Sequence, residues 1–428
     1  MARPVPRPSS SEDTGNPEPQ GIGRIWAAFA QRNFALYTGG NAVSLIGMWA
    51  QRIAVGWLAW ELTGSGFWLG LVAFADLFPT IVVTPLAGVI ADRSDRLMII
   101  RATQILSLLF SLTLALLTLM GLMTVELLTL IVLANGLTMG FKAPSRMAIT
   151  RTLVPAANLS TAIAINAIVF NLARFAGPAI AGLVIVFADV AWVFLFDAVT
   201  SALLVGAIHY IHLAPAKPKT ANGRRPIVGD IMEGLRYAAA HPGIGPLILM
   251  QLVIGLGMRA FIELLPGFAD QTMGRGADGL AMLSAAIGLG AMAAGVWLAQ
   301  RSGAAGLTRI VIRAHIVAAV SLLGLALAPR FDLALVLAGL TGLALATGGV
   351  ATQTLTQLVV DDDRLGRVMS LYSIIFRAAP ALGALFMGIA ADYWGMRLPF
   401  AIGALFCLVT VGWIVATRRD LARSLEPR

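Results

Sequence analysis

The chain has 428 residues, of which 58% are hydrophobic and only 12% charged, and its formal net charge is +9. Soluble globular proteins average about 25% charged residues, so so few charges exclude a water-covered surface of this size and fit an outer surface that faces lipid. A single cysteine, Cys407, excludes a disulfide framework or a cysteine-based zinc site within the chain.

Residues 1–21 hold five prolines and the run Ser9–Ser11 with little hydrophobicity, which predicts a disordered tail. Ile22, Ile25, Trp26 and Phe29 then fall on one helical face beside Arg24 and Arg32. That spacing predicts either a short helix lying on the membrane surface or a plain lead-in to the first span. From Phe34 onward, apolar runs recur with short polar breaks. About 20 apolar residues are needed to cross ~30 Å of hydrocarbon as a helix, and lipid leaves no backbone group unpaired. The runs predict an all-α membrane protein with spans at roughly 34–60, 67–91, 97–121, 124–143, 157–187, 190–212, 244–269, 278–299, 307–328, 332–357, 368–391 and 398–417. The first run is followed by many others, so it reads as a span rather than a cleaved signal.

One longer polar stretch interrupts the series. It holds Pro215, Lys217, Pro218, Lys219, Arg224 and Arg225, and a short helix over Ile227–Ala240 is expected after it. The predicted organisation is therefore a cytoplasmic tail and surface helix (1–33), a six-helix half (34–212), a cytoplasmic linker (213–243), a second six-helix half (244–418) and a cytoplasmic tail (419–428). With the N-terminus placed in the cytoplasm, 24 of the 31 Lys and Arg residues fall on the cytoplasmic side and three, Arg275, Arg330 and Arg397, on the outer side. This is a strong positive-inside asymmetry. It predicts a multi-pass protein of the bacterial inner membrane with both termini cytoplasmic, and it accounts for the basic charge without a nucleic-acid partner.

Two segments repeat. Residues 170–189 and 373–392 each place an arginine in fifth position, a proline within four residues of it, and Ala-Asp at the end, at an offset of 203 residues. Spans 5 and 11 therefore read as equivalents in a six-plus-six duplication, an arrangement that surrounds a central cavity in transporters.

Seven ionisable residues fall inside spans: Arg52, Arg174, Arg259, Arg377, Asp76, Asp197 and Glu263. A charge at mid-membrane costs ~2.5–3.5 kcal/mol on insertion scales, so such residues face a cavity or one another. Asn41, Ser44, Met48 and Arg52 share a face of span 1; Asn166 and Arg174 line up in span 5; Ser370, Ser373 and Arg377 share a face of span 11. These stripes read either as the lining of a cavity that attracts anionic groups or as ion pairs that lock helices together. Arg259 and Glu263, four residues apart, can neutralise each other on one helix. A carboxyl group in low dielectric can exchange a proton near neutral pH, which makes Asp76 the first proton-coupling candidate. Glu263 and Asp197 come after it, and Asp197 could instead be the partner of an arginine. His209 and His212 have metal-ligand spacing but no further ligand nearby, and they read as interfacial anchors.

No lysine follows a glycine, so there is no Walker loop. HExxH and GxSxG are likewise missing, and neither an enzyme nor a cofactor or metal is implied.

The loop Gly88-Val-Ile-Ala-Asp92-Arg93-Ser-Asp95-Arg96 resembles the signature of the major facilitator superfamily, with Asp95 in place of its second glycine. The resemblance implies a gate in which Asp92 pairs across the halves. The matching loop after span 8, Gln300-Arg301-Ser302-Gly303, lacks the aspartate. Arg174-Phe-Ala-Gly177-Pro178-Ala-Ile-Ala-Gly182 looks like the glycine-proline motif of span 5 in proton-coupled exporters of that superfamily. Trp49-Ala-Gln51-Arg52, Glu61-Leu-Thr63-Gly64-Ser65 and Glu233-Gly-Leu-Arg236 resemble its enterobactin-exporter-like (transmembrane secretion effector) branch, over about residues 30–418. The resemblance implies twelve helices in two pseudo-symmetric halves, alternating access, and proton-coupled export of a drug, siderophore or similar small molecule. Its expected partners are that substrate, protons and membrane lipid. Nothing in the chain specifies a dimer surface, and a monomer is expected. A lipid or lysolipid flippase on the same fold and a transport-inactive scaffold or sensor remain the alternatives.

Overall fold

The computed structural model describes residues 22–93, 95–211, 227–301, 305–418 and 420–426. Among them are twelve helices long and apolar enough to cross a membrane. Spans 1 to 6 are α2 (Arg32–Thr63), α3 (Gly66–Arg93), α4 (Arg96–Leu119), α5 (Val125–Leu153), α6 (Leu159–Phe187) and α7 (Val190–His209). They follow a short α1 (Ile22–Phe29) and precede α8 (Ile227–Ala240). Span 7 begins with α9 (Ile244–Gly257) and continues through a 3-10 segment, Arg259–Leu264, a single helical turn, α10 (Leu265–Gly267), and a π turn, Phe268–Thr272. Spans 8 to 12 are α11 (Gly276–Ala299), α12 (Leu307–Leu327), α13 (Phe331–Val359), α14 (Asp362–Trp394) and α15 (Arg397–Thr417), and a short α16 (Leu421–Leu425) follows. The fold is a twelve-span, all-α bundle of a multi-pass membrane protein.

Local chemistry sets the helix ends. Gly64 adopts φ 59° and closes α2 by donating its N–H to the Trp60 carbonyl, a left-handed cap that glycine adopts without steric cost. The Thr124 hydroxyl and the Asp189 carboxylate accept from the first free amides of α5 and α7. The expected spans coincide with helices, but α5 runs on to Leu153, past the expected end at 143. Lys142, Ser145 and Arg146 lower hydropathy without breaking a helix, so the helix outlasts its apolar stretch.

Span 7 departs from the continuous helix expected over 244–269. Pro266 has no N–H to give to the preceding turn and its ring crowds that turn. The α-helix ends at Gly257, and the turn that Pro266 crowds is 3-10, followed by π geometry. Such changes in mid-span commonly mark functional sites.

The two halves pack alike. In the first, α3 lies on α5, α2 on α6 and α7, and α4 on α7; in the second, α11 lies on α13, α9 on α14 and α15, and α12 on α15. Each contact recurs six spans later, in keeping with the repeat. Two seams join the halves, α3 on α14 and α6 on α11. Both rely on small residues. A Cβ at Gly70 would collide with the Ala384 carbonyl, one at Gly388 with that of Gly66, and one at Gly182 with the Ala281 side chain. This close approach is the usual basis of helix association in lipid.

Polar links between the halves gather toward the end of the bundle that carries the α2–α3 turn. The Asp392 carboxylate at the end of α14 accepts from the Ser65 hydroxyl at 2.7 Å and from the Gly66 and Phe67 amides that open α3. Trp60 Nε1 donates to Asp270 at 2.8 Å. At the other, arginine-rich end, α8 is tied to the second half by the Arg367–Glu233 pair at 2.6 Å. Residues 1–21 of the expected tail and 212–226 of the expected linker, with His212, lie outside the described residues.

Candidate transport cavity between the halves

A cavity, partly open to its surroundings, lies between α2 and α6 of the first half and span 7 and α11 of the second. Trp49, Arg52 and Gly56 come from α2, Arg174 and Pro178 from α6, Glu263 and Pro266 from the broken part of span 7, and Ser284 and Gly288 from α11. The sequence places these residues there for readable reasons. Arg52 stands about three turns beyond Asn41 on the polar face of α2. Pro178 and Gly177 let α6 approach α2, where a Cβ on Gly177 would collide with Trp49. Pro266 opens span 7 so that the Glu263 side chain faces α2 rather than its own helix.

Arg52 is the hub. One guanidinium nitrogen, Nη1, donates to Asp76 Oδ2 of α3 at 2.8 Å, and the other, Nη2, to Glu263 Oε1 at 2.6 Å. The first contact stays within the first half and the second crosses to the other half. Charge-assisted bonds of this length are the strong ones. The expected neutralisation of Arg259 by Glu263 is therefore corrected. Glu263 pairs with Arg52, because the 3-10 turn removes the helical register that i,i+4 pairing needs. Arg259 instead sets its guanidinium 3.8 Å from the centre of the Phe376 ring. Arg174 lies 5.6 Å from the centre of the Trp49 ring, which Arg52 also approaches at 6.0 Å. Arg377 is exposed on α14, on the same face as the exposed Ser370 and Ser373.

The remaining candidates are placed elsewhere. Asn41 is buried in α2, and Asn166 donates to Thr150 at 3.2 Å inside the first half; neither joins the cavity wall. Asp197 is 2% exposed between α2, α4 and α7, away from the cavity. Its Oδ2 accepts from Ser111 Oγ at 2.6 Å, and Ser111 in turn accepts from Gln51 at 3.0 Å. The expected arginine partner of Asp197 is corrected: its hydrogen bond comes from Ser111. Lys142 is only 5% exposed. Gly88, Asp92, Arg93 and Arg96 stand where α3 ends and α4 begins, and their side chains lie outside the described residues.

The four arginines share a regularity. Arg174 and Arg377 are 203 residues apart on spans 5 and 11, and Arg52 and Arg259 are 207 apart on spans 1 and 7. Spans 1 and 7, like 5 and 11, are counterparts in the duplication. Each of these four spans thus carries one arginine, close to 200 residues from its counterpart. The acids Asp76 and Glu263 break this symmetry, since both serve Arg52.

A family model described as transmembrane secretion effector matches residues 24–425. The chain belongs to that family, within the major facilitator superfamily. Among curated relatives of this family member, the staphyloferrin A transporter of Staphylococcus aureus (strain NCTC 8325 / PS 47) is 24% identical over 388 residues, covering 89% of this chain and 95% of the relative. The multidrug efflux pump Tap of Mycolicibacterium fortuitum is 28% identical over 375 residues, covering 84% and 88%. The solved nucleoside transporter NupG superposes with a TM-score of 0.68 at 14% identity, covering 91% of this chain and 99% of its own, which establishes the shared fold.

Proposed function

We propose that this protein exports a small organic molecule from the cytoplasm in exchange for protons, by alternating access across the bacterial inner membrane, with both termini cytoplasmic. The observation that carries the reading is Arg52, which joins Asp76 of its own half to Glu263 of the other in the wall of the inter-half cavity. Protonation of Glu263 removes the charge that holds it to Arg52 and loosens a link between the halves. Protonation of Asp76 frees Arg52 on the other side. Either event couples proton occupancy to how tightly the halves are held together.

The polar contacts around Asp392 and Asp270 close one end of the bundle, and the opposite end is the arginine-rich one. That asymmetry supports a state open to the cytoplasm. Gly88, Asp92, Arg93 and Arg96 would gate the cytoplasmic end when it closes. Gly177, Pro178 and Gly182 would let α6 pivot against α2 and α11. Arg52, Arg174 and Arg377 would meet the substrate, and Asp197 would serve as a secondary proton site. The direction of transport rests on the family description and on the efflux activity in the name of the relative from M. fortuitum.

The test is proton movement in everted vesicles with an acidified interior, with candidate substrates added outside. Wild type is expected to dissipate the gradient with at least one compound class. Glu263→Gln and Asp76→Asn should each reduce that dissipation by about tenfold or more, the effect of losing roughly 1.4 kcal/mol or more of charge-assisted contact. Undiminished dissipation in both variants would remove the proton site from this pair.

A further inference from the structure

The six charges of the central cluster do not balance. Arg52, Arg174, Arg259 and Arg377 face only Asp76 and Glu263, and both of these carboxylates are used by Arg52. Among the described residues, Arg174, Arg259 and Arg377 have no carboxylate within ion-pair distance; Arg174 and Arg259 rest against the rings of Trp49 and Phe376. Arg259 lies close enough to Arg174 and Arg52 to feel both as like charges. An aromatic face recovers part of the cost of a poorly hydrated guanidinium, but it does not neutralise it.

Two further groups point the same way. Ser284 Oγ and Trp49 Nε1 are buried in the cavity wall, and neither has a hydrogen-bond partner among the described residues. Buried polar groups are normally satisfied, and both of these belong to residues of the wall between the halves. The remaining wall is apolar, with Ile53, Leu265 and Ile287 among its residues.

We infer that the transported molecule is an organic polyanion, a compound with two or more carboxylates or similar oxyanions on a compact carbon skeleton, and that Arg174, Arg259 and Arg377 are its counter-charges. This deepens the exporter reading and rests on it. Planar guanidinium forks match carboxylates in bidentate geometry. Trp49 Nε1 can donate to an acceptor on the skeleton, and Ser284 Oγ can donate or accept. An organic cation approaching this cluster meets four arginines against two carboxylates, an excess of two positive charges. The inside-negative membrane potential drives a polyanion outward, so export and the sign of the cluster agree.

The experiment uses everted vesicles containing the full-length protein, with an imposed membrane potential and two probe sets. One set is radiolabelled polycarboxylates, citrate and tricarballylate with larger aryl-bearing analogues. The other is organic cations, tetraphenylphosphonium and ethidium. The polycarboxylate set is expected to accumulate, and Arg174→Gln and Arg377→Gln should each lower accumulation about tenfold at equal protein level. Arg377→Lys should recover part of the loss, which a merely structural arginine would not do. Accumulation of the cations, or movement of a labelled lysophospholipid in place of the polycarboxylates, would overturn the inference and leave the transporter reading standing. Polycarboxylate uptake indifferent to both arginine variants would overturn the assigned counter-charges. Failure of every probe to move would count against the transporter reading as well as the inference built on it.

Discussion

Arg52 uses its two terminal nitrogens on partners in different halves, and that division of labour depends on the planar fork of a guanidinium. A lysine carries its charge at one point on a flexible stem and cannot hold two separated carboxylates in this geometry. Arg52→Lys is therefore expected to keep one contact, lose the other, and lower transport at least about tenfold while the protein still reaches the membrane. Counterflow measured beside a membrane-fraction immunoblot checks this, and transport equal to wild type would show that the bridge is dispensable. The sequence made Arg52, Asp76 and Glu263 visible as charges in apolar runs, because such residues are costly in lipid. It did not reveal who pairs with whom. The partner of Glu263 is 211 residues away, whereas the competing partner Arg259 lies four residues away and dominates any local reading.

At the scale of single elements, the helices were legible and their interruptions were not. Pro266 was present in the sequence, but hydropathy runs unbroken across 244–269 and hides the change of helical type at Gly257. Short terminal elements were equally silent. Residues 419–428 read as a plain tail, yet α16 is followed by Glu426, whose carboxylate caps α12 by accepting from the Gly306 amide at 2.8 Å and the Thr308 amide at 2.9 Å. Burial alone would raise the proton affinity of this carboxyl group. The hydrogen bonds from Gly306 and Thr308, with Arg309 nearby, outweigh burial and hold the Glu426 carboxyl below the usual glutamate range. A group depressed in the folded state contributes fully above its unfolded value, about 4.3 for glutamate, and the contribution is lost as pH falls through the folded value. A spin label at Arg423 should be immobile at neutral pH and gain mobility as the solution is acidified below that range. In Glu426→Ala it should be mobile throughout. A label equally restrained in both proteins at neutral pH would show that α16 docks without the cap.

For the whole molecule, the twelve spans, the two halves and the family were all readable, because lipid imposes span length and duplication leaves a repeat. The conformation was not, since no local pattern says which end of a bundle is closed. The two seams between the halves are counterparts under the duplication, yet they differ. Asp392 fastens the α3–α14 seam by reaching into the other half. Asp189, the residue at the same place in the repeat, turns instead to the Ala191 amide of its own neighbouring helix. The α6–α11 seam is left to small-residue contacts such as Gly182 on Ala281. The halves should then part like a door, swinging free along the latched edge and staying hung on the smooth one. Electron–electron distances between spin labels should lengthen across the α3–α14 seam when substrate is added, and change far less across α6–α11. In Asp392→Ala the door should already stand ajar before any substrate arrives.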